Sequence, residues 1–190
     1  MPTMCAHVQS EPRNGPRIEP LPEEQVRELL GERGRPLNIF LTLAKNEPLF
    51  AAFSKLGGHL LGRHATIPRR ERELVILRVG WRSGSDYEFG QHTLIGRQVG
   101  VTDDEIERLA RPGLDGWADD DAALLTMADE LCAHNDVSDE TWAKLAGHWS
   151  EQQLLELLVL AGFYRLVSGF LRSVGVQREP GTPGFPEDGS

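Results

Sequence analysis

A long apolar segment near the C-terminus constrains the fold of this chain more than any other feature. Residues 154–170 are apolar nearly all the way round a helical wheel. Such a helix must be enclosed by other helices or shared between subunits. The pattern Ser150-x-x-Gln153 just before it is a capping box, so we predict one helix that runs from this cap to about Val174.

The rest of the chain also predicts helices rather than strands. Apolar and polar residues never alternate for long enough to indicate a strand, whereas helical spacing recurs throughout. Helix starts and stops are marked by Pro68, Ser83-Gly84, Gly100 and the second capping-box pattern Thr102-x-x-Glu105. The predicted fold class is therefore all-α, a single-domain helical bundle. The apolar last helix favours a homo-oligomer over a monomer.

Composition divides the chain into three parts. Residues 1–22 carry five prolines, and residues 178–190 carry three more together with glycine and acidic residues. Both segments are predicted to be mobile tails. Residues 23–177 are predicted to form the helical domain, whose first helix runs from Glu23 to Arg33 and stops at Gly34.

Charge and cysteine content exclude several classes of function. A net charge of −9 argues against a nucleic-acid partner, which would need a basic surface. The two cysteines, Cys5 and Cys132, provide neither a disulfide framework nor zinc-ligand spacing. The longest apolar run, residues 157–164, is too short to span a bilayer, and no signal peptide is visible. We expect a cytoplasmic protein with no metal and no membrane partner.

Glu88 and His92 are the residues whose spacing points to chemistry. They share one face of a predicted helix, about 86–99, with the apolar residues Ile95 and Val99. A carboxylate beside an imidazole permits proton transfer, because histidine titrates near neutrality and the carboxylate orients it or stabilises its charge. The alternative is a surface i,i+4 pair that contributes only a few tenths of a kcal/mol. Spacing alone leaves both interpretations open.

Three sequence segments, one of which contains this pair, follow one another along the chain. They are Arg72-Glu73-Leu74-Val75-Ile76-Leu77-Arg78-Val79, then Tyr87-Glu88-Phe89-Gly90-Gln91-His92, then Val101-Thr102-Asp103-Asp104-Glu105-Ile106. Together they resemble the carboxymuconolactone decarboxylase family, which also contains the AhpD-like alkylhydroperoxidases. The resemblance extends over residues 20–178 and implies an AhpD-like helical bundle, for which trimer-based oligomers are typical.

The peroxidase branch of the family carries a Cys-x-x-Cys-x-x-x-His signature and a proton-relaying glutamate before it. The resemblance places His92 at the family histidine and Glu73 at the relay glutamate. It places Ser85 and Glu88 where the two cysteines would be. Neither side chain can form a thiolate or a disulfide, so thiol peroxidase chemistry is excluded at this site.

The resemblance therefore implies the decarboxylase branch, which acts without a metal or an organic cofactor. Its substrate is a carboxylated unsaturated lactone from aromatic-compound catabolism, which loses carbon dioxide and is then protonated at carbon. The implied catalytic residues are His92, Glu88 and Glu73, with His92 as the acid/base. The implied substrate-binding residues are Tyr87, Arg72 and Arg78, the arginines as ligands of a carboxylate. The alternatives are a peroxidase-related AhpD-like protein without redox cysteines and a noncatalytic protein kept for binding or assembly.

Overall fold

The structure is a computed structural model that describes residues 15–30 and 36–186, with residues 28–30 given by their backbone alone. Within these ranges the chain forms nine α-helices and no strand. They are α1 (Glu23–Leu30), α2 (Asn38–Leu43), α3 (Glu47–Leu61), α4 (Arg69–Arg82), α5 (Asp86–Gln98), α6 (Asp103–Leu109), α7 (Asp119–His134), α8 (Asp139–His148) and α9 (Glu151–Val174). The predicted all-α fold class is confirmed. Cys5, residues 1–14 of the predicted N-terminal tail and the predicted stop at Gly34 lie outside the described residues.

The helix boundaries follow the local signals in the sequence. Thr102 and Ser150 each form a complete capping box, at the starts of α6 and α9. Gly84, Gly100 and Gly175 adopt positive φ angles just after α4, α5 and α9, a backbone conformation that favours glycine. These breaks fix where the chain turns between helices.

Helix α4 lies at the centre of the fold. All its residues from Arg72 to Trp81 are buried. Val75 and Val79 belong to the main core, which α4 shares with α7 and α9, whereas Leu74 and Leu77 belong to a second core shared with α5 and α6. A helix enclosed on both sides places its polar side chains in the interior, where each needs a partner.

Helix α9 is only partly enclosed by the other helices. Its buried residues, such as Leu157 and Leu160, pack in the main core, but Leu155, Val159 and Leu166 are exposed. The helix is long and apolar enough to cross a membrane by length and composition alone, which is also true of many core helices. Of the two alternatives for α9, enclosure within one subunit is only partial, and the central helix is α4, which is covered on both sides.

Helix α5 lies directly against α4 after the short connection at residues 83–85. The two helices approach closely at Gly80, where an added Cβ would lie 3.4 Å from the backbone nitrogen of Phe89. This contact turns the face of α5 that carries Glu88 and His92 toward α4.

Residues 177–186 pack against the helical body, although composition predicts a mobile tail from residue 178 onward. The carbonyl oxygen of Pro183 leaves no room for a Cβ at Gly90 on α5. The ring of Phe185 packs against Phe89, with a centroid distance of 5.2 Å. This C-terminal strap, residues 177–186, therefore lies along the helix that carries the candidate site.

Candidate active site

His92 lies between two carboxylates. Its Nδ1 is 2.5 Å from Oε2 of Glu73, and its Nε2 is 3.1 Å from Oε1 of Glu88. All three side chains are buried, with at most 5% of each residue exposed. We call these three residues the site cluster. The alternative of a surface i,i+4 pair is wrong, because the pair is buried and joined by a third residue from α4.

The two carboxylates change the protonation of His92. Burial alone would lower the pKa of the imidazole, but the negative charges and hydrogen bonds of Glu73 and Glu88 raise it to about 9. At neutral pH the ring is therefore an imidazolium, which has a proton on each nitrogen to donate to the two carboxylates. The site cluster holds a proton donor ready at physiological pH.

An apolar cavity of about 320 Å³ opens beside Glu88 and His92. This volume lies at the lower end of the range for small-molecule sites. The walls come from α2, α3, α5 and α9, and their apolar part includes Ile39, Phe40, Phe53, Ile95, Phe163 and Val167. Glu73 does not line the cavity and lies behind His92, so it acts on a ligand only through the imidazole.

Tyr164 is a site residue that the sequence analysis missed. It lines the cavity, and its ring packs edge-on against His92 with a centroid distance of 4.9 Å and an interplanar angle of 87°. Burial and then the charges of Glu88 and Glu73 raise its pKa well above the ordinary value, so the hydroxyl stays protonated. It has no hydrogen-bond partner among the described residues, which leaves it as a donor for a ligand. Its position in the apolar stripe of α9 is typical of a core tyrosine, so the sequence pattern does not indicate a functional role for it.

Tyr87 lines the cavity, but its hydroxyl is already engaged. It donates a hydrogen bond of 2.7 Å to Oε1 of Glu179 in the C-terminal strap. Glu179 also accepts from the backbone nitrogen of Asn38 at 2.7 Å and from the side chain of Gln91. Burial, followed by the interaction with Glu179, raises the pKa of Tyr87. Glu179 thus ties α2 to α5 at the cavity wall, from a segment whose composition predicts a tail.

The two arginines predicted to hold a substrate carboxylate do not line this cavity. Arg72 lies behind Glu73, with Nε 4.0 Å from its Oε1, and donates from Nη1 to the carbonyl oxygen of Leu60 at 3.0 Å. Arg78 is fully buried and pairs with both carboxylate oxygens of Asp129. The structure contradicts the substrate-binding role of Arg78, because its guanidinium is used within the fold. Arg72 acts on Glu73 rather than on a ligand in the cavity.

The side chains at the two family cysteine positions differ in exposure to the cavity. Ser85 is fully buried at the start of α5, and Glu88 lines the cavity. Cys132 is half-buried on α7, and burial raises the pKa of its thiol. Across residues 15–30 and 36–186, no group of three or more His, Cys, Asp or Glu side chains has the arrangement of a metal site.

The family comparison agrees with this geometry. The sequence profile of the carboxymuconolactone decarboxylase family matches residues 47–125, which include the whole site cluster. Over these residues the chain is similar to the carboxymuconolactone decarboxylase family. The predicted resemblance is confirmed. No curated protein matches the chain.

Solved structures with AhpD-like folds resemble the whole domain. An AhpD core, an uncharacterised peroxidase-related protein from Ralstonia eutropha JMP134, has a TM-score of 0.72 at 20% identity and covers 84% of this chain and 87% of its own. The debrominase Bmp8, solved with 2,3,4-tribromopyrrole, has a TM-score of 0.70 at 19% identity over 86% of this chain and 91% of its own. A peroxidase-related protein from Silicibacter sp. TM1040 has a TM-score of 0.69 at 18% identity over 92% and 96%. At such identities the similarity establishes the AhpD-like fold.

Proposed function

We propose that this chain is a cofactor-free acid/base enzyme that transfers a proton to or from carbon in a small enolisable molecule. The observation that supports it is the position of His92, held between Glu73 and Glu88 at the wall of an apolar cavity. General acid–base catalysis needs a proton carrier within reach of the substrate and with a pKa near the working pH. A largely apolar wall also keeps water away from the proton being transferred.

Each member of the site has a distinct role in this reaction. Glu88 lines the cavity and accepts the proton from the carbon next to a carbonyl group, which leaves an enolate. The neutral hydroxyl of Tyr164 donates a hydrogen bond to the enolate oxygen. His92 delivers its proton to carbon, and the proton on Glu88 then restores the imidazolium. Glu73 stays behind the ring and stabilises its charged form.

Decarboxylation of a carboxylated lactone is the finer version of this proposal. The bond from carbon to the carboxylate breaks, carbon dioxide leaves, and the electron pair remains on the substrate as a dienolate. His92 then protonates that dienolate at carbon, so one C–C bond is replaced by one C–H bond. The family match over residues 47–125 supports this carboxy-lyase reaction of aromatic-compound catabolism.

The test compares His92→Gln with His59→Gln, a matched change at an exposed histidine on α3. Solvent deuterium exchange into enolisable lactones, followed by NMR, reports proton transfer, and carbon dioxide release reports decarboxylation. We expect His92→Gln to lose roughly 10²–10⁴-fold in rate and His59→Gln to keep the wild-type rate. Equal rates in wild type and His92→Gln would indicate a noncatalytic protein. Exchange without carbon dioxide would reject the decarboxylase version, and thiol-dependent peroxide reduction would favour the peroxidase-related alternative.

We also propose that the chain forms a homo-oligomer through the outer face of α9. Leu155, Val159 and Leu166 are exposed there, at positions that share one side of the helix. Light scattering on the wild type and on Leu166→Glu tests this proposal. A wild-type monomer, or an unchanged oligomer in the variant, would contradict it.

A further inference from the structure

A second cavity, of about 490 Å³, lies between the end of α3 and the start of α4. The charged side chains in its wall are Arg63, Arg69 and Arg72, and none of the described residues that line it is acidic. We call it the arginine cavity. Leu61 is the residue that its wall shares with the wall of the cavity beside His92. The arginine cavity is therefore a separate positive site next to the candidate active site.

Arg72 is the buried member of this wall, with 4% of the residue exposed. Its Nη1 donates a hydrogen bond to the carbonyl oxygen of Leu60 at 3.0 Å. Its Nε has no hydrogen-bond partner among the described residues and lies 4.0 Å from Oε1 of Glu73, which is the outer limit of an ion pair. A guanidinium has five N–H donors, and a buried donor without a partner is costly. Arg72 thus borders the cavity with hydrogen-bonding capacity that the fold does not use.

Arg63 and Arg69 are exposed, and they pair with no carboxylate in the part of the chain that the structure describes. Nε of Arg63 contacts only Nε2 of His64, at 3.1 Å. Other surface arginines have acidic partners, as Arg97 and Arg108 do within their own surroundings. The charges of Arg63 and Arg69 therefore remain available to an anion from solution.

The N-terminus of α4 adds to the positive field of the cavity. The helix begins after Pro68, and no side chain caps it. Unpaired N–H groups and the helix dipole give such an end a partial positive charge. The acidic residues nearby are engaged elsewhere: Glu71 pairs with Arg70 at 3.7 Å, and Glu156 accepts hydrogen bonds from Thr66 at 2.7 and 2.9 Å. The helix end and the arginines together favour a ligand with more than one negative charge.

We propose that the arginine cavity binds the phosphate group of a small molecule. A guanidinium donates two parallel hydrogen bonds to phosphate oxygens, and a phosphate has enough oxygens to accept from Arg63, Arg69 and Arg72 together. A phosphate monoester carries about −1.5 to −2 charges at pH 7, which compensates the two arginines that lack a carboxylate partner. The inference does not depend on the proposed function, because the two cavities have different polar groups.

The binding test uses inorganic phosphate on the full chain, with acetate as the comparison anion at the same ionic strength. Calorimetry measures the affinity. NMR of the Nε–H group of Arg72, assigned by its loss in Arg72→Lys, reports the location. We expect phosphate to shift this signal with a Kd on the order of 1 mM or tighter, and acetate to bind roughly tenfold more weakly. Acetate that binds as tightly as phosphate would overturn the ligand class, and phosphate that does not saturate would overturn the site.

Arg69→Gln is the first variant, because Arg69 is exposed and its loss should leave the fold intact. Arg111→Gln is the matched control, since Arg111 is an exposed arginine that pairs with Glu107 and does not line the cavity. We expect phosphate affinity to fall roughly tenfold in Arg69→Gln and less than about twofold in Arg111→Gln. Equal losses would indicate a general effect of net charge and would overturn the proposal.

Arg72→Lys tests the buried member of the wall. Lysine keeps a positive charge beside Glu73 but lacks the planar fork of donors. We expect phosphate affinity to fall roughly tenfold, with urea denaturation in the absence of phosphate as the check on folding. Unchanged affinity in the folded variant would overturn the proposal. If this variant does not fold, the double change Arg63→Gln and Arg69→Gln decides the question, because both residues are exposed.

A last probe distinguishes two sources of the phosphate group. Because Leu61 borders both cavities, the group belongs either to a free ion or to a molecule whose organic part passes Leu61 toward His92. Phenylbutyl phosphate binds more tightly than inorganic phosphate, and shifts the His92 imidazole signals further, only in the second case. Affinity for this probe that is the same in Arg69→Gln as in wild type would show that the arginines do not hold its phosphate, against the proposal.

Discussion

Two buried ionic clusters lie on different sides of α4, and they are built in different ways. The site cluster joins Glu73 of α4 to His92 and Glu88 of α5. The second, which we call the anchor cluster, joins Arg78 to Asp129 of α7 through hydrogen bonds of 2.6 and 2.7 Å. Each cluster has one charged residue on the central helix α4, and these two residues, Glu73 and Arg78, are five positions apart. Their spacing places them about 140° apart around the helix axis.

The clusters differ in what remains available to a ligand. In the anchor cluster, Nη1 of Arg78 also donates to the carbonyl oxygens of Leu109 and Arg111, at 3.0 and 2.7 Å, so its charge is neutralised and its donors are used within the fold. In the site cluster, Glu88 and His92 border a cavity. Burial of a charge is thus common to both clusters, and the adjacent cavity distinguishes the functional candidate from the structural one.

The largest expected effect is on stability, at the anchor cluster. Arg78→Met leaves Asp129 and several carbonyl oxygens without their buried partner, although Arg82 still reaches Asp129 at 2.9 Å. We expect a loss of about 3–5 kcal/mol in the free energy of unfolding, which urea denaturation measures. His92→Gln should lose less at neutral pH, on the order of 3 kcal/mol at most. An Arg78→Met protein as stable as wild type would show that the anchor cluster does not support the fold.

The next effect is the pH dependence of stability from the site cluster. The pKa of His92 is raised to about 9 from its ordinary 6.5, so folding stabilises the protonated ring. Its contribution, on the order of 3 kcal/mol, is fully present below pH 6.5 and is lost as the pH rises through about 9. Urea denaturation across this window should show a steeper loss in wild type than in His92→Gln. Parallel curves for the two proteins would contradict the raised pKa.

Removal of one carboxylate from each cluster should affect the pKa of His92 differently in the two cases. Glu73→Gln removes the main charge that raises the pKa of His92, while burial still lowers it, so the pKa should fall. An NMR titration of the ring measures it. Asp129→Asn is the matched change in the anchor cluster and should leave the pKa of His92 as in wild type. A pKa that stays near 9 in Glu73→Gln would assign the effect to Glu88 instead.

The sequence predicted the local parts of this architecture and missed the distant ones. Capping boxes such as Thr102-x-x-Glu105 are read over a few residues, and family register places Glu73 near His92. Arg78 was misassigned because its partners lie 31 to 51 residues further along the chain, where no spacing rule connects them. Glu179 was missed because its role depends on how a proline-rich segment packs against α5, which composition does not encode.

The smallest expected effect concerns Glu179. Like Asp129, it accepts hydrogen bonds from several donors, but it lies at the cavity wall. Glu179→Gln removes the charge that helps to raise the pKa of Tyr87, so that pKa should fall while burial keeps it above the ordinary value. The ultraviolet absorbance of tyrosinate measures this, because the chain has only two tyrosines. The weakened contact should reduce ligand affinity about fivefold, close to 1 kcal/mol, and leave the rate at saturation unchanged. Arg178→Gln, which removes a strap contact with Asp86 away from the cavity, is the control. Equal ligand affinities in Glu179→Gln and Arg178→Gln would indicate that Glu179, like Asp129 in the anchor cluster, has a purely structural role.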